Sequence, residues 1–85
     1  MLYAVYADLS SPITTQERLA LFEALDATVP GSGCVGPRKG PHDEVYFVVE
    51  AVTEEEAREQ AERFMNIVLQ TAGLEIAYAL TLQTS

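Results

Sequence analysis

Val45-Tyr46-Phe47-Val48-Val49-Glu50-Ala51-Val52-Thr53-Glu54-Glu55-Glu56-Ala57 joins the strongest strand signal in the chain to its clearest helix start. Residues 45–49 are all β-branched or aromatic, so neither side of a pleated strand would be polar. That is the pattern of a strand covered on both faces, and it predicts a central position in a sheet. Thr53 and Glu56 then have the S/T-x-x-E spacing of a capping box, each side chain expected to satisfy the other residue's amide. Val52 and Ala57 stand where a hydrophobic staple would, and Glu54, Glu55 and Glu56 put carboxylates on the positive end of the helix. Ala57, Ala61, Phe64, Met65, Val68 and Ala72 recur with a period near 3.6, opposite Glu55, Glu59, Glu62, Arg63, Asn66 and Gln70. Gly73 is the expected C′ residue.

Beyond that helix, Leu74, Ile76, Tyr78, Leu80 and Leu82 alternate with Glu75, Ala77, Ala79, Thr81 and Gln83, the pattern of a half-buried strand. At the other end of the chain, residues 2–8 are apolar in both alternating sets, Tyr3/Val5/Ala7 and Leu2/Ala4/Tyr6, which predicts a second central strand. Which set faces the helices stays open. Thr14 and Glu17 repeat the capping-box spacing after Ser10-Ser11-Pro12. The helix they start has Leu21, Phe22, Leu25 and Val29 as its apolar stripe, Gln16, Ala20, Glu23 and Ala27 opposite, and Pro30-Gly31 as its end. Between this helix and the central strand, residues 31–42 hold four of the five glycines and two of the four prolines. They read as a fast-exchanging loop around a weak edge strand. Cys34 and Val35 would supply its pairing, and Pro37 is tolerated at an edge because an outward amide is not needed for the ladder.

The order is strand, helix, strand, strand, helix, strand, and right-handed crossovers place both helices on one face of an antiparallel sheet. The chain resembles the ferredoxin-like split βαβ fold, an α+β sandwich of four antiparallel strands and two helices, here as a single domain over residues 1–85. The resemblance puts strands one and three in the middle, where the two-sided apolar runs fall. It implies nothing specific about activity, because this fold hosts many unrelated functions.

With 48% hydrophobic and 21% charged residues the chain has the composition of a globular domain rather than a disordered one. At 85 residues its core is small, and domains of this size often rely on a disulfide, a metal or self-association. One Cys and one His provide neither an internal disulfide nor a structural zinc site, so self-association is the expected prop. Thirteen acidic residues against five basic ones give a formal charge of −8, which opposes contact with phosphate backbones or anionic membrane. Residues 1–8 lack the basic and apolar regions of a secretory signal, and no apolar run approaches membrane-spanning length. A cytoplasmic location, no direct nucleic-acid contact and no membrane partner are therefore the expectations.

Chemistry has few places to sit. Residues 31–42 form a basic island in an acidic chain: glycine amides approach anions closely, Arg38 and Lys39 would neutralise one, and Cys34 and His42 complete the candidate ligand-binding set. The segment matches neither the Walker-A nor the dinucleotide glycine pattern, and a solvated connection is the competing reading. Cys34 as a nucleophile would need His42, eight residues away, as base, with no third group to orient it. The plainer readings are a small residue packed at an edge strand and a solvated turn histidine. Asp8 and Glu50, at the ends of the central strands, read as exposed charges rather than an acid–base pair. Arg18 is expected to pack its stem on the helix stripe with its head in water, an ion pair with Asp8 or a ligand contact being the alternative. No catalytic set, cofactor site or metal site is assembled from these residues. The chain shows neither a paired-Cys metal-carrier loop, nor a basic aromatic RNA-binding strand, nor an acylphosphatase-type anion loop.

Three function classes follow. The leading one is a non-enzymatic binding or regulatory module that forms a homodimer, with a further protein partner allowed. Its interface would be the sheet face away from the helices, through Tyr46, Val48, Ala77 and Ala79. The second is a small enzyme of the dimeric α+β barrel type with a cleft between sheet and helices, where His42, Tyr6, Tyr46 and Asp8 would be the candidates. The third is an acidic inhibitor or decoy of a nucleic-acid-binding protein.

Overall fold

The computed structural model of the chain describes residues 1–30, 33–37 and 42–84. Its elements run β1 (Leu2–Leu9), α1 (Thr15–Thr28), β2 (Cys34–Pro37), β3 (Asp43–Glu50), α2 (Glu54–Ala72) and β4 (Tyr78–Thr84). The four strands make one antiparallel sheet in the order β2-β3-β1-β4. This is the ferredoxin-like layout, and the two runs that are apolar on both faces are its central strands.

The sheet buries one face. Tyr3, Val5, Ala7 and Leu9 of β1 and Val45, Phe47 and Val49 of β3 meet Leu21, Ala24 and Leu25 of α1 and Ala57, Ala61, Met65, Val68 and Leu69 of α2. Phe47 lies edge-on to Phe64 across this core, ring centroids 6.1 Å apart. Core phase thus settles what the pattern of residues 2–8 left open: the odd positions of β1 face the helices, and Leu2, Ala4, Tyr6 and Asp8 face away.

Local signals account for the helix ends. Thr14 closes a full capping box, accepting from the Glu17 amide at 3.1 Å while the Glu17 carboxylate accepts from the Thr14 amide at 2.7 Å. At α2 only half of the expected box forms: Thr53 Oγ1 accepts from the Glu56 amide at 3.1 Å, but the Glu56 carboxylate takes the Val52 amide, at 3.3 Å. The staple expected there is absent too, since Val52 is 80% exposed and Ala51 is the residue that enters the core. Gly73, with φ 74° and ψ 29°, ends α2 in the left-handed region, and the Leu74 amide bonds back to the Leu69 carbonyl at 2.9 Å, closing a Schellman motif. Two helix faces are rotated from expectation. Phe22 is exposed while Ala24 is buried, and on α2 Leu69 is buried while Phe64 and Ala72 are only half-buried.

Candidate functional site

The face of the sheet away from the helices is built from β1 and β3 with their edge neighbours. Ladder register sets its rows: Cys34 lies opposite Tyr46, Tyr46 opposite Tyr6, and Tyr6 opposite Thr81, one line across the whole sheet. The Ala51 amide bonds to the Met1 carbonyl at 3.0 Å, which fixes the ladder's phase and leaves Tyr6 and Tyr46 at a non-hydrogen-bonded site. Side chains approach closest at such sites, and these two rings stand 5.2 Å apart at 43°. Val48, Ala4 and Gln83 form the next row. Tyr6, Tyr46, Ala4 and Val48 are all half-buried, and Ala77 and Ala79 are exposed on the same side.

At one end of this face Asp8 lies opposite Glu44 across the ladder, a like-charge pairing that is unfavourable between neighbouring strands. Glu50 ends the face at the other limit of β3, opposite Leu2. Asp8 and Glu50 are exposed, as expected, and belong to opposite ends of the sheet. Beside the Asp8 end, Tyr6, Cys34, Val35, Gly36, Pro37, Glu44 and Tyr46 line an open groove of about 340 Å³. Its floor is β-sheet and its wall the edge strand β2.

Of the basic island, Cys34 and His42 are described; Arg38 and Lys39 lie outside the described residues. Register separates the two that are. Cys34 pairs with Tyr46 and Pro37 with Asp43, so His42 precedes the far end of the hairpin, about 13 Å along β3 from the residue opposite Cys34. The nucleophile–base pairing of Cys34 with His42 is not assembled. Cys34 is exposed and outside any disulfide, not packed as a small edge residue. His42 is half-buried, and its Nδ1 is shielded from solvent without a hydrogen-bond partner among the described residues, which corrects the solvated-turn reading. Pro37 sits where expected, on the strand whose outer backbone has no ladder neighbour.

Sequence reasoning missed the most polar contact of the interior. Arg18 grips Asp43 with two bonds, Nε to Oδ2 at 2.5 Å and Nη2 to Oδ1 at 3.1 Å. Its partner is Asp43 and not Asp8, while part of the guanidinium side chain stays exposed. The hydrogen bond to Asp43, and then that carboxylate's attraction, raise the Arg18 pKa further above its ordinary value. Asp43 is the buried charged group among the described residues, 5% exposed. The only hint in sequence was that Asp43 begins a run whose other inward positions are apolar. No group of His, Cys, Asp and Glu suited to a metal ion occurs among the described residues. No helix among them is long and apolar enough to cross a membrane.

Compared with known proteins, the chain matches no family model, no curated protein and no solved structure.

Proposed function

We propose that the chain is a non-enzymatic binding or regulatory module that works as a homodimer, packing the helix-free faces of two sheets together. The observation that carries this reading is the Tyr6–Tyr46 pair, half-exposed at the middle of that face with Ala4 and Val48 beside it. Tyrosine is favoured at the centre of interfaces because its ring buries area while its hydroxyl finds a polar partner. Small Ala77 and Ala79 lower the relief on one side, which suits sheet-on-sheet contact. Charge also favours one orientation. With the two-fold axis lying across the strands, the Asp8/Glu44 end of one copy meets the Leu2/Glu50 end of the other, setting two carboxylates against one rather than against two.

Sedimentation equilibrium over micromolar concentrations tests it. The native chain is expected to be a dimer, and Tyr46→Glu, which sets a carboxylate in the centre, to be a folded monomer. A native monomer throughout, together with unchanged stability of Tyr46→Glu, would sink the reading.

The groove of about 340 Å³ favours a second reading, a small-ligand or enzyme site on the same face, since its size is at the low end for such sites. It would use Tyr6, Tyr46, Cys34 and Glu44 rather than His42 or Asp8, which do not line the groove. The space between sheet and helices is filled by the core, so a ligand would sit on the open face. Electron density for a small molecule on the tyrosine pair would favour it over the module.

A further inference from the structure

Charge distinguishes the grooves of this surface. Beside β4, residues 73–78 and the C-terminal half of α2 enclose a groove of about 460 Å³, lined among others by Leu69, Leu74, Glu75, Ile76 and Tyr78. On α2, Arg58 and Arg63 are interspersed among Glu55, Glu59 and Glu62, so charge selects no occupant there. The groove of about 340 Å³ beside the tyrosine pair is different. Among the described residues its face carries Asp8, Glu44 and Glu50 and no lysine or arginine, Arg18 being bound to Asp43 on the helix side of the sheet.

Room in this groove comes from Gly36. That residue stands opposite Glu44 on the edge strand, and a Cβ built on it would meet nothing within 4 Å. The Tyr6 and Tyr46 rings line the groove, and their tilt of 43° keeps them from closing face to face, which leaves π surface for a third group. Glu44 is the one charged residue of the lining. The ladder phase puts Asp8 and Glu44, like the tyrosines, at a non-hydrogen-bonded site, where side chains approach most closely. A second carboxylate thus stands beside the first, and a cation settling there relieves their repulsion.

The lining decides what kind of cation. A primary ammonium brings three N–H groups that need acceptors, and a guanidinium brings five. The side-chain acceptors here are the Glu44 carboxylate and the tyrosine hydroxyls, among apolar Cys34, Val35 and Pro37. A quaternary ammonium has no N–H group, spreads its charge over its methyl groups, and is held by aromatic faces without a hydrogen bond. At about 340 Å³ the groove has room for a small molecule.

We infer, resting on the small-ligand reading of this face, that the groove binds a small quaternary ammonium compound. Tyr6 and Tyr46 meet its methyl groups, and Glu44, backed by Asp8, supplies the counter-charge. Because the same rings stand at the centre of the proposed sheet contact, the bound cation and a second copy compete for them.

Tyrosine ring shifts in NMR spectra of the full chain, at constant ionic strength, test this. The probes are choline, ethanolamine and the uncharged isostere of choline in which a quaternary carbon replaces the nitrogen. Choline is expected to move the Tyr6 and Tyr46 resonances and to leave those of Tyr3, buried on the helix side, in place. Ethanolamine and the isostere should bind roughly tenfold more weakly. Tyr6→Leu should lose a similar factor, Tyr6→Phe, which keeps the ring, should regain most of it, and Glu44→Gln should weaken choline severalfold. Gly36→Val, which fills the groove from a position with open space around it, should abolish binding while the fold persists. Equal binding of ethanolamine would reduce the effect to the attraction of any cation to an acidic chain and overturn the inference. Equal binding of the isostere would leave the small-ligand reading standing and overturn the quaternary ammonium, whereas shifts with no probe would overturn both. Binding that appears only in the double variant Arg38→Gln with Lys39→Gln would make the occupant a basic side chain of this chain and likewise overturn it.

Discussion

Arg18 of α1 and Asp43 of β3, 25 positions apart, are joined by a two-point fork that ties the first helix to the start of the central strand. Asp43 is nearly closed to solvent, whereas Arg18 keeps one side in water. The pair is therefore asymmetric. Removing the arginine strands a buried carboxylate, while removing both charges leaves an apolar gap that can repack. Arg18→Leu should lower the denaturation midpoint more than the double variant Arg18→Leu with Asp43→Leu. A double variant less stable than Arg18→Leu alone would show that the fork itself, not relief of an unpaired charge, governs stability here.

Gly33 stands where the chain enters the sheet between helix and strand. A Cβ built on it would lie 2.5 Å from Leu25 Cδ2 and 2.7 Å from the Tyr46 carbonyl oxygen. Leu25 is fully buried and the carbonyl is backbone, so neither gives way easily. Gly33→Ala should cost about 1–3 kcal/mol, the usual range for overpacking. Gly36, whose Cβ would meet nothing within 4 Å, is the control. Equal loss at both positions would mean backbone entropy rather than the close approach is responsible. The glycine at 33 thus serves packing, where sequence reading had placed it in a solvated connection, with an anion-binding loop as the alternative.

That contrast marks what was legible in the sequence. Residues 2–8 and 45–49 announced central strands because only a strand covered on both faces tolerates apolar residues at every position. Thr14 and Thr53 announced helix starts because their partners lie three residues away, within reach of local reasoning. The Arg18–Asp43 fork escaped because its residues are joined by packing alone. The pairing of Cys34 with His42 failed on register: whether two residues of a hairpin meet depends on which pairs face each other, and turn-rich residues 31–42 carry no alternation to set it. Phe22 was misplaced and Leu69 left out of the stripe because a helix stripe read from period alone leaves its flanks undefined by about one residue. The open face was partly legible, with Tyr46 and Val48 on it, while Tyr6 joined them only once the core had chosen a phase for β1.

The two helix caps differ in a measurable way. Thr14 and Glu17 satisfy each other's amides, whereas Glu56 serves Val52 and leaves Thr53 with a one-way bond. Thr14→Ala and Thr53→Ala should each cost about 1 kcal/mol. Only the first pair closes a reciprocal box, so Thr14→Ala and Glu17→Ala should combine less than additively, while Thr53→Ala and Glu56→Ala should come closer to adding. Denaturant melts of the two cycles decide it, and equal coupling in both would refute the distinction.

Tyr78 gives the groove beside β4 a signature in pH. Its pKa is raised above the ordinary 10.0, first by burial, which disfavours the phenolate, and then by the negative charge of Glu62. The folded state therefore holds the phenol proton to higher pH than the unfolded chain does. The stabilisation is complete below pH 10, where the phenol is neutral in both states, and it is lost as pH rises through the folded-state value. Stability should fall along this alkaline limb, and Tyr78→Phe, which has no proton to lose, should flatten it. The phenylalanine variant also gives up the bond to Asn66, so its stability near neutrality should be somewhat lower while its alkaline slope is smaller. Glu62→Gln should move the Tyr78 titration back toward the ordinary value without abolishing the shift, because burial, the larger cause, remains. Ultraviolet titration of phenolate with denaturant melts at several alkaline pH values separates these outcomes. A Tyr78→Phe variant whose stability falls as steeply above pH 10 as the native chain's would place the sensitive group elsewhere.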